Sequence, residues 1–441
     1  MARDRGLRDV LRSLSLKALS LGLERVCRLV VVVALAPILG QAAFGRFVFA
    51  STVTALLALG TDLGLGVWTT RALARSRAQS DRPAGEGWKI VEVGLAIRSL
   101  AALPYTCAVV AVALFAAHGE ARTAMGLLGV GALVNAFVDH FGAILRGYER
   151  FADEARLNAV RALLIAVAGL ATSVVARSLI GLCAGLTAAN LGGFAYGVVM
   201  VERLRANEVV RIVRPVLDRA WAKTALHQSL PLWFAGLFSM LYFKVDTLFL
   251  RSMSGDAELG VYGAAFKLFE GVMVLPAVLL SVLFPRLARV HDDPPAQRRL
   301  ERLLGAVLLA SGALVAATCL AFGAPLIRVV FGPGFGRAVP LLRILAVGVP
   351  LLFLNYGLTH FLVARDRGMM TQWFAFGMLG LNVVLDIVLI PRAGGAGAAW
   401  ATDITEFVLT ACCLCGLRLA MASTRTLPSA PREASTGRRA A

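Results

Sequence analysis

The sequence predicts an all-α polytopic membrane protein, with about twelve transmembrane helices in two parallel-repeat six-helix lobes around a central cavity. Three observations predict it. Apolar runs of about 20 residues recur from one end of the chain to the other, each able to cross a hydrocarbon core of about 30 Å. The loops between them alternate between rich and poor in Lys and Arg. A short Gly/Ala pattern recurs in both halves at a constant offset.

The 441 residues are 58% hydrophobic and 16% charged, with a mean hydropathy of +0.74. Soluble domains run nearer 45–50% apolar and about 25% charged, and no stretch of this chain is left for one. The net charge of +18 raises nucleic acid as a partner. The basic residues, however, lie in short clusters between apolar runs, with no interleaved aromatics, so no nucleic-acid partner is expected. The pattern is the positive-inside bias of bacterial membrane proteins. Arg3, Arg5, Arg8, Arg12 and Lys17 precede the first apolar run. No small-residue cleavage site follows, so that run reads as a retained first helix. The cysteines (27, 107, 183, 319, 412, 413 and 415) all fall in apolar runs. Cys behaves there as a small hydrophobe, and no metal site is expected.

The predicted spans are 16–39, 46–66, 90–117, 124–145, 157–176, 179–201, 225–250, 259–284, 303–322, 338–363, 370–390 and 396–418. About 31 of the 45 Lys and Arg fall in the two tails and the loops 67–89, 146–156, 202–223, 285–302 and 364–369. The opposite loops hold about 7. This asymmetry puts both termini in the cytoplasm, as expected of a bacterial inner-membrane protein. The domains expected are lobes 1–201 and 224–418, a cytoplasmic linker 202–223, and a basic tail 419–441 lying near anionic membrane lipids.

Gly40, Ala42, Gly45 and Ala50 recur at an offset of 215 as Gly255, Ala257, Gly260 and Ala265, while Phe44 and Phe47 become Leu259 and Tyr262. Each copy closes one helix and opens the next. Parallel halves of this kind are a transporter architecture, with the site between them.

The stretches Gly40-Gln-Ala-Ala-Phe-Gly45, Thr61-Asp62-Leu63-Gly64-Leu65-Gly66 and Leu241-Tyr242-Phe243-Lys244-Val245-Asp246 resemble the polysaccharide (O-antigen type) flippases. So do Gly260-Val-Tyr-Gly-Ala-Ala265, Phe284-Pro285-Arg286-Leu287 and Phe331-Gly332-Pro333-Gly334-Phe335, in the same order along the chain. That family belongs to the multidrug, oligosaccharidyl-lipid and polysaccharide exporter superfamily. The resemblance implies a polyprenyl-diphosphate-linked oligosaccharide as substrate and alternating access between two lobes. It also implies glycan polymerase and assembly proteins as partners. Lipid II flippases carry two further helices that this sequence lacks.

Ionisable residues at mid-bilayer are costly and read as functional. Arg25 and Arg28 lie near the middle of the first span, with Glu24 four residues before Arg28. Arg98, Arg161 and Arg343 lie within about two turns of a helix end, where a long side chain can snorkel. Lys244 and Asp246 lie in the seventh span, Lys267 and Glu270 in the eighth. Arg forks and Lys point charges suit a diphosphate. The candidate substrate-binding residues are therefore Arg25, Arg28, Arg98, Arg161, Lys244 and Lys267. The candidate ion-coupling residues are Glu24, Asp246, Glu270, Asp386, Asp403 and Glu406, with Na+ or H+ as the ion. Asp403 and Glu406, three apart on one helix face, can share a proton or a cation. His140, beside Asp139, reads as an interfacial histidine or a proton relay. Gly181 and Gly185 suggest close helix packing.

No P-loop is present, so ATP is not the expected energy source. No cofactor and no catalytic constellation is found. A cation-coupled multidrug antiporter of the same superfamily is the nearer alternative, and an integral-membrane glycan polymerase the more distant one.

Overall fold

The computed structural model describes residues 2–78, 85–205, 215–280 and 293–423, all as helix and short turns. The helices are α1 (Ala2–Asp62), α2 (Leu65–Ala78), α3 (Glu86–Phe115), α4 (Glu120–Gly147), α5 (Phe151–Val175), α6 (Leu179–Arg205) and α7 (Arg219–Val272). A short α8 covers 274–280. Then follow α9 (Pro294–Phe331), α10 (Ala338–Ala364), α11 (Gly368–Ala393) and α12 (Gly395–Ser423). The motif 284–287, the linker stretch 206–214 and the tail from 424 lie outside the described residues.

Ten helical segments of the described chain are long and apolar enough to cross a membrane. Two of these are too long for one crossing. The 61 residues of α1 would extend about 92 Å if straight, three times the hydrocarbon thickness. Its helical geometry breaks at Gly40 (φ 73°, ψ 171°), and residues on both sides, Val31 and Val32 before and Ser51 and Thr54 after, line one cavity. The chain therefore turns back there. In α7 the break is Gly255 (φ 84°, ψ 176°). Lys244 and Glu270, 26 residues apart, meet across it at 2.9 Å. Both turns need the left-handed region, which glycine enters without a Cβ penalty. Each hairpin holds two crossings, which brings the described segments to the twelve spans expected. The sequence had placed loops at 40–45 and 251–258, where the structure has one-residue breaks. It also ended the second span at 66, whereas the helix resumes after a turn at Leu63–Gly64 and runs to Ala78.

The repeat at offset 215 is a symmetric contact in three dimensions. A Cβ placed on Gly45 would fall 1.8 Å from the Asp256 carbonyl oxygen, and one on Gly260 would fall 1.9 Å from that of Gln41. Residues 41 and 256 are themselves related by the same offset. The two hairpins thus cross reciprocally, backbone to backbone, about a pseudo-two-fold axis. Around this crossing Phe44 packs on Phe331 and Phe335, with ring centroids 6.1 and 5.8 Å away. Gln41 donates to the Gly334 carbonyl at 2.5 Å, and the Arg251 guanidinium lies 3.7 Å above the Phe49 ring. The two halves are therefore sealed at the hairpin end.

Beyond this seam the first-half helices pack on one another (α1–α5, α4–α6, α5–α6), as do those of the second half (α9–α10, α10–α12, α11–α12). Gly185 meets Thr172 of α5 closely, the tight packing that the Gly181/Gly185 spacing suggested. One arm crosses over: Trp221, Ala222, Ala225 and Leu226 at the start of α7 join a core of α2, α3 and α4 residues. Asp218 caps α7, accepting from the Ala220 and Trp221 amides at 3.0 and 3.2 Å, and pairs with Lys89 of α3 at 2.7 Å. The Lys89 ammonium first, then the Trp221 amide, holds the Asp218 carboxyl below the ordinary carboxylate range. The pair's stabilisation is present above the ordinary aspartate value and is lost as pH falls through the depressed one. Asp218→Ala should lower the melting temperature, and Asp218→Asn, which keeps a cap acceptor, should recover most of the loss. Equal melting of all three proteins would show that the cap contributes nothing.

Candidate functional site

A cavity of about 620 Å³ lies between the halves. It reaches from Phe47, just inside the crossing, to Val67 and Arg146 toward the opposite end. Its polar lining comes mainly from the first half: Ser51, Thr54, Asp62, Arg98, Asn135, Asp139, Arg146 and Asn190. The second half contributes Met240 and Lys267.

Two Arg–Asp pairs build the first-half wall. Arg98 donates to Asp62 and, at 2.5 Å, to the Ala136 carbonyl. Asp62 also accepts from the Gly64 amide at 3.2 Å, the local turn that ends α1. Arg161 donates to Asp139 at 2.6 Å and to Asn135 at 3.1 Å. Neither arginine snorkels. Their side chains are 1% and 6% exposed, against 39% for Asp62 and 57% for Asp139. The carboxylates face the cavity and the guanidiniums stand behind them. Arg343, by contrast, is exposed.

Lys244 and Lys267 both bond Glu270, at 2.9 and 2.7 Å, and Lys244 lies 5.2 Å over the Phe266 ring. This triad joins the two arms of the second hairpin and gives the cavity its cation from that side. The side chains of Glu24, Arg25 and Arg28 lie outside the described residues. In the backbone, Arg28 sits one turn from Val32, which lines the cavity.

Behind the triad the second half buries a group of carboxylates. Asp246 accepts from the Tyr262 hydroxyl and from the Thr247 amide. Asp386 of α11 is fully buried, repels Asp246, and neither of its oxygens has a hydrogen-bond partner among the described residues. The same holds for the Asn382 oxygen, one turn away on α11. Glu406 is different: Tyr242 donates to it at 2.7 Å and Asn355 at 2.7 Å, so it ties α7, α10 and α12 together. Asp403 lies against the Gly348 backbone. Among the described residues no three His, Cys, Asp or Glu side chains are placed to hold a metal ion. Two carboxylates with neighbouring amide and hydroxyl oxygens are instead the hard donors that a small monovalent cation or a proton takes.

His140 is fully buried, packed against Gly94 of α3. Sequence reasoning missed Asp62, Asn135, Asn190 and Arg146 as lining residues. Asp62 was visible only as part of the Thr61-Asp62-Leu63-Gly64 turn, and Arg146 was assigned to a loop.

Two lobes of parallel topology around a polar cavity are the fold of a membrane transporter. The sequence profile of the polysaccharide biosynthesis protein family matches residues 10–291, and the chain belongs to that family. No curated protein matches the chain. Among solved structures it is similar to an inward-facing multidrug resistance MATE-family transporter of the MOP superfamily (TM-score 0.71, 14% identity, 92% of this chain and 96% of that one). It is similar also to the lipid II flippase MurJ in an inward closed conformation (TM-score 0.71, 14% identity, 91% and 87%). A third is a MOP-superfamily transporter from Pyrococcus furiosus (TM-score 0.64, 16% identity, 94% and 95%).

Proposed function

We propose that this protein moves a polyprenyl-diphosphate-linked oligosaccharide from the cytoplasmic to the outer leaflet of a bacterial inner membrane, by alternating access and without a catalytic step. The observation that carries this reading is a polar, cation-bearing cavity sealed at one end by a reciprocal crossing of two lobes, in a member of a polysaccharide biosynthesis family. The lobes are 1–201 and 224–418, and the basic loops and both termini face the cytoplasm. The sealed end is then external and the cavity faces inward. Lys267 and Lys244, with Arg25 and Arg28 on the facing helix, attract the diphosphate. A Na+ or H+ site at Asp246 and Asp386, with Asn382 beside them, couples transport to an ion gradient. Glycan polymerase and assembly proteins receive the product.

The test is glycan display in a host lacking its own O-antigen flippase. The parent should restore display, and Lys267→Ala should reduce it about tenfold, the equivalent of one charge-assisted hydrogen bond, at equal protein levels. Lys267→Arg should retain it. Full display with Lys267→Ala would remove that residue from the substrate path. No display by the parent with any of several supplied glycans would count against the function.

A further inference from the structure

The part of the first-half wall built by Asp62 and Asp139 has the wrong polarity for the diphosphate, and this points to a second subsite. An anion entering the cavity meets Asp62 and Asp139 before it meets Arg98 and Arg161, which are 1% and 6% exposed. Each aspartate is already balanced by its own arginine, so the wall neither attracts a cation strongly nor repels a neutral ligand. Each is also held in one orientation, Asp62 by Arg98 and the Gly64 amide, Asp139 by Arg161 and the Asn135 amide. An ionised carboxylate offers about four lone-pair sites, and these donors leave acceptor capacity on both residues directed at the cavity. Beside them Asn190 lines the same cavity, and its buried oxygen has no partner among the described residues. Fixed acceptors beside the amides of Asn135 and Asn190 form a surface that complements a dense array of hydroxyl and amide N–H groups.

We infer that Asp62, Asp139, Asn135 and Asn190 form a saccharide subsite, which binds the first sugars of the cargo while its diphosphate is held by Lys267 on the opposite wall. Resting on the flippase reading, this assigns head-group selectivity to the first lobe. A sugar in this subsite spans the two lobes, so only a glycosylated lipid bridges both walls, and a bare diphosphate lipid engages one.

Native mass spectrometry of the purified full chain tests this, with polyprenyl diphosphate and its glucosyl, galactosyl and N-acetylglucosaminyl forms as probes. The parent should bind at least one glycosylated form about tenfold more tightly than the bare lipid, as a few added hydrogen bonds imply. Asp139→Asn should erase that preference without weakening bare-lipid binding, because it leaves the Arg161 charge unbalanced. Asn190→Leu removes no ion-pair partner and should do the same, so the test survives if Asp139→Asn fails to fold. Bare lipid bound without preference for any sugar, or a preference intact in the folded variants, would overturn the subsite alone. A parent that binds none of the lipids would overturn the flippase reading, and the subsite with it.

Discussion

A side chain at Gly45 is expected to stop transport, and one at Gly260 to stop it equally. The added Cβ would lie under 2 Å from a helix carbonyl in each case. A backbone oxygen cannot rotate aside as a side chain can, so the hairpins must separate. Overpacking of this kind costs about 1–3 kcal/mol, enough to shift a two-state equilibrium by roughly 5- to 150-fold. The sealed end should therefore open in Gly45→Ala and more completely in Gly45→Leu. The measurement is labelling of a cysteine at Phe335, in a background without the native cysteines, by a membrane-impermeant maleimide. In the parent that ring is buried, at 1% exposure, and labelling should be slow. Rapid labelling in both Gly45→Leu and Gly260→Leu, with transport lost, is the expected result. Slow labelling in both would show that the crossing yields locally and does not govern which end is open. A large effect at only one glycine would show that the pseudo-symmetry is not mechanical.

Asp386→Asn should have the second large effect. In the parent, Asp246 and Asp386 are both buried, and removing a carboxylate from water is expensive unless a proton or cation compensates. The neutral amide supplies that compensation permanently. Gradient-driven transport should fall to its gradient-independent floor, about a hundredfold loss if coupling is worth near 3 kcal/mol. The stability readout separates coupling from damage. A ligand at 100 times its dissociation constant stabilises the native state by about 2.7 kcal/mol. Added Na+, or a lower pH if the ion is a proton, should raise the parent's melting temperature and leave the variant's flat. A parent whose melting responds to neither ion would remove Asp386 from coupling. Glu406, with both oxygens engaged by Tyr242 and Asn355, should instead lose stability when changed to Gln.

The architecture was largely written in local sequence. Apolar run lengths gave the spans, and Gly40 and Gly255 marked turns because only glycine enters that backbone region readily. The constant offset between the two motifs marked the two parallel halves, while the reciprocal crossing of their hairpins emerges only in three dimensions. The site was legible only in part. Arg98 and Arg161 stood out as charges in apolar helices, since charge there is rare. What they face was not legible, because their partners Asp62 and Asp139 come from other helices. Asp62 sat at a helix end, where an aspartate needs no special explanation. Asn135 and Asn190 are neutral, and only tertiary packing sets them in one cavity. His140 and Asp139, adjacent in sequence, do not share an environment. On a helix consecutive residues point about 100° apart, and here one faces the cavity while its neighbour is sealed against Gly94.

The ring cluster of Phe44, Phe331 and Phe335 carries a consequence for the timing of the cycle. Each of these rings is at most 1% exposed, and parting them hydrates apolar surface at about 25 cal/mol per Å². On the proposed flippase reading, the empty protein is thereby biased like a sprung door, at rest with the ring end shut and its mouth toward the compartment where cargo is made. Binding energy must be spent on prising the rings apart, and cargo release lets them snap shut. On that reading, return of the unloaded protein is the downhill stroke, while the gradients of cargo and coupling ion still set the direction of net transport.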